Sequence, residues 1–522
     1  MKKLFIIAGI ALTTLSCGTS QQQTPTVETI APIDPTEYGT SITSDELKEM
    51  LYTFASDEFE GRETGEKGQK MAVEYLKQHY VDMNIPSPIS EGDYFQEVPL
   101  LNQKSPQTEI TVNGVQFKNY ADYVMSGAAS SQAIKASDIV YAGYGIEDEK
   151  YSSYEGLDVE GKIVLIKSGE PKNEDGTYVT SGAKEDTKWS VGRQALSSKR
   201  DVARKKGIKT LLIMDNAYLK MVANYMEAAA KSGSDGRITL KDKQEDMLQI
   251  LVSEKLGASL LASIATDDTS KTVKTDLEID VTSNSEEVNS ENVVAFIKGS
   301  EKPDEIIVIS AHLDHEGVKN GEIYNGADDD GSGTVAILEI AEAFKKAQDA
   351  GHGPKRSILF LHVTGEEKGL LGSSYYADID PIFPLKNTVA NLNIDMIGRI
   401  DPKRTGDRNY VYLIGSDKLS TELHNISEEV NKKYTNIALD YTYNDENDPN
   451  RFYYRSDHYN FAKNNVPIIF YFNGTHDDYH KPSDTPDKIE YDLLENRTRL
   501  VFYTAWELAN REGRISVDKA TE

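Results

Sequence analysis

The sequence predicts an α/β fold, a mixed and mostly parallel sheet flanked by helices. Apolar runs at 292–297, 306–309, 358–361 and 389–394 have the length and β-branched content of buried strands. They alternate with helical periodicity, which begins after residue 333 and returns from about 491 to 511. A third observation is positional: His312, Glu367 and Asp395 each stand just past an apolar run. That is where an open α/β sheet gathers ligands, beyond the carboxyl ends of its strands.

At 522 residues the chain is long enough for two or three domains with a sizeable core. Its 57 Lys and Arg against 85 Asp and Glu leave a formal net charge of -28, which repels phosphate backbones, so no nucleic-acid partner is expected. Lys2 and Lys3 precede an apolar stretch reaching residue 15, too short for an ordinary spanning helix and laid out like a secretory signal. Cys17 is the single cysteine, so no intramolecular disulfide forms and no thiolate serves a metal. Its place after Leu15 and Ser16 resembles the lipobox of bacterial lipoproteins, with Thr14 where Leu is usual. The expectation is a signal peptide over 1–16, lipidation at Cys17 and a polar tether over 17–43. The protein would then be exported to the cell envelope, periplasmic or surface-facing, and touch the membrane only through its lipid.

Helical periodicity starts at Ser44, which is placed to cap, with Leu47, Met50, Leu51 and Phe54 on one face. A second helix is expected from about 66 to 80, with Met71, Tyr75 and Leu76 inward. Between them a glycine-punctuated loop at 56–65 carries Asp57, Glu58, Glu60 and Arg62. From about 126 to 285 the texture changes to strand-like pieces at 138–145, 162–166 and 210–213 around a helix near 195–206, without a histidine. That span reads as an inserted accessory domain, leaving 44–125 and 286–515 as one discontinuous domain that holds the chemistry.

The chemistry-bearing residues are His312, Asp329, Glu367, Asp395 and His480, nitrogen and oxygen donors able to hold two zinc ions. Asp329 lies between Asp328 and Asp330, just before a helix whose amino end favours anions. In the Glu366 and Glu367 pair, one carboxylate can bind metal while its unbound neighbour moves protons between water and a leaving amine. His480 follows the strand expected at 466–472. Asp314, two residues past His312, is placed to accept that ring's second N–H. His315, His352, His362, His424, His458 and His476 read as surface or satisfied core residues.

Taken in order, these motifs resemble family M28 zinc metallopeptidases carrying an inserted protease-associated (PA) domain, over roughly residues 44–511. Residues 57–65 resemble the family's amino-terminal motif, and 126–285 its β-rich PA insert. The resemblance implies a sheet of the zinc-exopeptidase type. It puts His312 and Asp395 on one zinc and Glu367 and His480 on the other, with Asp329 bridging and Glu366 as general base toward a dizinc-bound water. It also implies that Tyr479 donates a hydrogen bond to the tetrahedral oxyanion and that the Asp329–Asp330 peptide is cis.

The leading expectation is an aminopeptidase acting on peptides, with the substrate amine held among Glu366, Asp395 and nearby acids. One alternative is a carboxypeptidase or dipeptidase of the same fold, for which Arg451 or Arg455 would clamp a carboxylate. Glutaminyl cyclisation fits less well, because relatives that perform it use a single zinc. A binding protein on the peptidase scaffold would have lost ligands or base, and all are present.

Overall fold

Strand residues alternate between two cores. In Lys302–His312, Ile307, Ile309 and Ala311 join one hydrophobic cluster while Ile306 and Val308 join another, so this sheet is covered on both faces. The structure is a computed structural model that describes residues 33–519 except 128, 191, 233–235 and 242–246. The expected signal and Cys17 lie outside the described residues.

The sheet is built from β1 Phe95–Gln103, β2 Arg237–Leu240, β3 Glu286–Ile297, β4 Lys302–His312, β5 Arg356–Val363, β6 Thr388–Ile394, β7 Tyr410–Ile414, β8 Ala438–Asp440 and β9 Ile468–Phe472. Their spatial order is β2-β1-β3-β5-β4-β6-β9-β7-β8. The central strands β5, β4, β6 and β9 run parallel. β3 joins β5 antiparallel on one side and β7 joins β9 antiparallel on the other, so the sheet is parallel at its centre and mixed at its flanks.

Six helices of eleven residues or more and one short turn of helix matter here. They are α1 Thr36–Gly39, α2 Ser44–Phe54, α3 Lys67–Asp82, α4 Gly192–Lys205, α5 Asn216–Ser232, α6 Gly333–Asp349 and α7 Tyr491–Asn510. Apolar residues of α2, α3, α6 and α7 share the first core with alternate residues of β4. Thr43, not Ser44, caps α2 by accepting from the Glu46 N–H at 3.3 Å, while the Ser44 hydroxyl donates to Glu495 at 2.6 Å. Tyr38 on α1 is 5% exposed and stacks on Trp506 of α7 at 5.7 Å, so residues 35–43 belong to the folded body and not to the expected tether. That partner is remote in sequence, and the local composition gives no sign of it.

A second, eight-stranded sheet takes its strands from Gln107–Val112 through Lys271–Thr282. It therefore begins earlier than the boundary expected at 126. Gln107–Val112 and Val115–Phe117 lie at one edge of this sheet and Tyr123–Ser126 forms the other edge. Within the expected insert, β2 leaves the second sheet and pairs with β1, Leu240 opposite Leu100. In the second sheet Leu165, Leu212 and Ile250 face one core, and Val164, Ile166, Leu211 and Ile213 face another that α4 and α5 cover. Among the described residues no helix is long and apolar enough to cross a membrane.

Candidate metal centre

The carboxyl ends of the central parallel strands deliver the expected residues to one place. β4 ends on His312, Glu366 and Glu367 follow β5, Asp395 follows β6, and His480 lies beyond β9. Asp329 enters from the kinked turn Ala327–Ser332 that precedes α6. Its carboxylate faces two ways. Oδ1 is 3.1 Å from His312 Nε2, which is itself 3.8 Å from Asp395 Oδ1. Oδ2 is 3.0 Å from His480 Nε2, which is 3.3 Å from Glu367 Oε2. The Asp329–Asp330 peptide is cis, as the resemblance implied.

The aspartates on either side of Asp329 brace the site. Asp330 accepts the backbone N–H of His312 at 3.2 Å, of Gly333 at 2.9 Å and of Met396 at 3.1 Å, tying β4, α6 and the end of β6 together. Asp328 accepts from the Gly398 N–H at 2.7 Å and from Asn473 at 3.1 Å, with His476 Nε2 at 3.2 Å. Asp484 accepts the N–H groups of Asp328 and Asp329 at 3.0 and 3.2 Å. His476, expected to be a surface or satisfied core residue, is buried and belongs to this bracing layer.

The glycine-punctuated segment before α3 does similar work. Arg62 is fully buried and donates to the carbonyls of Leu313 at 3.0 Å, Phe54 at 3.1 Å, Asn325 at 2.6 Å and Gly326 at 3.0 Å. Burial pulls its guanidinium down to about 10, still charged at neutral pH, against the pull of Asp314, Asp329, Asp484 and Asp330. Thr64 donates to Asp314 Oδ2 at 2.7 Å, and Asp314 Oδ1 accepts the Glu366 N–H at 3.1 Å. This corrects the expected role of Asp314. His312 Nδ1 sits 2.9 Å from the backbone carbonyl of Asp314, while its carboxylate is 3.9 Å away and holds Glu366 in place.

His315 is a second correction. Its ring is fully buried, with Nδ1 2.8 Å from Glu367 Oε1 and 3.8 Å from Asp329 Oδ2, so it faces the centre instead of the core or the surface. Gly326 makes room for it: the backbone there has φ 54°, and a Cβ would come within 2.5 Å of His315 Cγ. His362 and His458 are core rings partnered at Nε2, 2.7 Å from the Tyr80 hydroxyl and 2.8 Å from the Tyr453 carbonyl, while the Nδ1 of each is buried without a hydrogen-bond partner.

The electrostatics describe a nest of acids short of positive charge. Burial pushes the Glu366 carboxyl well above the usual range; His312 opposes this, while Glu367, Asp395 and Asp457 add to it. Asp457, buried and accepting from Ser373 at 2.5 Å, is raised to about 7 by burial. Burial works against charge on His480, yet Asp329 and Glu367 outweigh it and lift the ring to about 10. His312 Nε2, Asp329 Oδ2 and Glu367 Oε1 are buried, and none has a hydrogen-bond partner. Buried polar atoms left unpaired are costly. Nitrogen and oxygen donors in this arrangement suit zinc, so the residues fit two such ions sharing Asp329.

A cleft opens onto these groups, walled by Met396, Phe452, Phe470 and Phe472, with Arg455 and Tyr479 at its polar side. Tyr479 stacks on His480 at 3.9 Å, and its hydroxyl is 3.5 Å from an Arg455 nitrogen. Burial raises the Tyr479 hydroxyl far above its ordinary value, so it remains a donor. A larger cavity of about 650 Å³ between α2, α3 and α6 shares no residue with this cleft and contains none of the expected ligands.

Comparison with known proteins bears on this geometry. Residues 292–505, a span containing the five expected ligand residues and Glu366, match the family described as Peptidase family M28. A probable zinc metalloprotease of Pyrenophora tritici-repentis is 40% identical over 128 residues, 23% of this chain and 24% of that protein, so the chain spans about a quarter of its length. Aminopeptidase Y of Saccharomyces cerevisiae is 24% identical over 457 residues, 85% of this chain and 73% of the yeast protein. Among solved structures, an aminopeptidase from Aneurinibacillus sp. strain AM-1 is 18% identical, covering 94% of this chain and 99% of that one, with a TM-score of 0.47.

Proposed function

From the match of residues 292–505 to peptidase family M28, we propose that the chain is a zinc-dependent metallopeptidase, and specifically an aminopeptidase with two zinc positions. The observation that carries the two-metal reading is the division of Asp329 between His312 and Asp395 on one side and His480 and Glu367 on the other. Zinc held by these residues supplies Lewis acidity toward a carbonyl oxygen and lowers the pKa of water.

The chain's own groups do the rest. Glu366 stands next to the ligand Glu367 and is fixed through its N–H by Asp314; it takes a proton from the attacking water and returns it to the leaving amine. Tyr479 donates its hydroxyl proton toward the developing oxyanion. The substrate's amino terminus is attracted to the acids around the centre, Glu366, Asp395 and Asp457. The phenylalanine walls of the cleft exclude water and favour an apolar side chain at the scissile bond.

The test is product release from peptides with free and with acetylated amino termini, with and without zinc, in wild type and Glu366→Ala. An aminopeptidase loses cleavage on acetylation, on zinc removal and on substitution. Arg455 supports a second reading. It lines the cleft and has no carboxylate within ion-pair reach among the described residues, whereas Arg451 lies over Tyr454 and outside the cleft. Cleavage that ignores acetylation but needs a free carboxylate, and falls with Arg455→Ala, would make the enzyme a carboxypeptidase.

The second sheet is proposed to be the PA insert, and residues 1–43 a signal followed by a lipidated segment, partly built into the fold. Cys17→Ser would then shift the protein from the membrane fraction to the soluble one.

A further inference from the structure

A small cavity in the second sheet lies where nothing so far assigns a function. A cleft of about 300 Å³ lies between α4, α5 and the strand Leu248–Val252. Arg193, Ser197 and Arg200 stand on one face of α4 and line it, with Tyr218 of α5 opposite and Gln249 and Leu251 of the strand below. Every polar side chain in this set can donate a hydrogen bond, and none is a carboxylate.

The two arginines are unusual in a chain of net charge -28. Neither has an ion-pair partner among the described residues, and the Arg200 Nε is buried without a hydrogen-bond partner. Arg200 donates to the Ser197 hydroxyl at 3.3 Å. Gln249 is 9% exposed, on the strand face that packs under α4 and α5, and its amide makes no hydrogen bond among the described residues. Arg193 is exposed, so the atom buried without a partner is the Arg200 Nε, and leaving it so is unfavourable unless something else completes the site.

We propose that this cavity binds a carboxylate, namely the free carboxyl terminus of a peptide whose last side chain rests against Leu251. Guanidiniums match a planar carboxylate with paired hydrogen bonds, and the Gln249 amide and the hydroxyls of Ser197 and Tyr218 supply further donors. The lack of any acid in the lining excludes a free amino acid, whose ammonium would have no partner. A peptide carries its ammonium elsewhere. The site is separate from the metal centre and does not depend on what that centre does.

Calorimetric titration of the intact zinc-loaded protein tests it, with N-acetyl-leucine, N-acetyl-leucinamide and inorganic phosphate as probes. N-acetyl-leucine is expected to bind, the amide to bind at least about tenfold more weakly, and Arg200→Gln and Arg193→Gln each to weaken N-acetyl-leucine by about tenfold or more. Arg200→Lys keeps the charge but loses the planar fork, so intermediate affinity is expected. Neither arginine lines the cleft at the metal centre, and turnover of leucine p-nitroanilide, which has no carboxylate, should be unchanged and shows that each variant is folded. Equal binding of acid and amide, undiminished binding to the arginine variants, or binding of phosphate alone would overturn the assignment.

Discussion

His315 shows what a single residue adds that its sequence position did not reveal. Its two ring nitrogens are buried without hydrogen-bond partners, and one lies 2.8 Å from Glu367, a proposed ligand. If it orients that carboxylate, His315→Ala should weaken zinc binding by about 10–100-fold, read by competition with a chromophoric chelator. Unchanged zinc affinity would make the ring a passive neighbour. That the five proposed ligands and Glu366 gather at one place was legible because each follows an apolar run or opens a helix, a pattern that local sequence contains. Thr64, Arg62 and Asp484 were not, because what they do depends on partners such as Asp314, Leu313 and Asp328, which only folding brings near. Asp314 was placed in the right neighbourhood but given the wrong partner. Two residues after a strand-end histidine, a side chain and a backbone carbonyl are both within reach, and spacing does not choose between them.

At the scale of elements, α6 carries a buried acid whose energetics can be read by pH. Glu339 is lifted from its ordinary 4.5 to about 8, first by burial and then by Glu46 and Glu342. Its folded pKa lies above the unfolded one, so the folded state holds the extra proton between those values. This contribution to stability is present below about pH 4.5 and is lost as pH rises through about 8. Glu339→Gln should therefore raise the Tm more at pH 8 than at pH 5, measured by differential scanning calorimetry on both proteins. An equal shift at the two pH values would show that Glu339 titrates normally. The helices themselves were predictable from periodicity, α2 and α7 within a residue or so. α1 was not, because its four residues carry no period, and Tyr38 is held by stacking on a helix near the other end of the chain.

For the whole molecule, the position of β2 couples the two sheets. Arg237–Leu240 is contributed by the expected insert but hydrogen-bonds along the edge of β1, from Leu100 to Gln103. Replacing residues 107–282 by a short linker should uncover that edge. The shortened protein is expected to aggregate, seen as loss of the monomer-sized peak in size-exclusion chromatography. A well-behaved shortened protein would mean that β1 needs no cover. The change of texture near residue 126 marked a passage into the second sheet. It missed both the earlier start and the returning strand, since strand pairing between distant segments leaves no local mark. The two-zinc centre remains the claim on which the functional reading stands. The most direct measurement is zinc content of the metal-free protein after titration, in wild type and in Asp329→Ala. The reading requires two equivalents per wild-type chain, and loss of tight binding at both positions when the shared carboxylate is removed. One equivalent in the wild type, or two retained without Asp329, would contradict it.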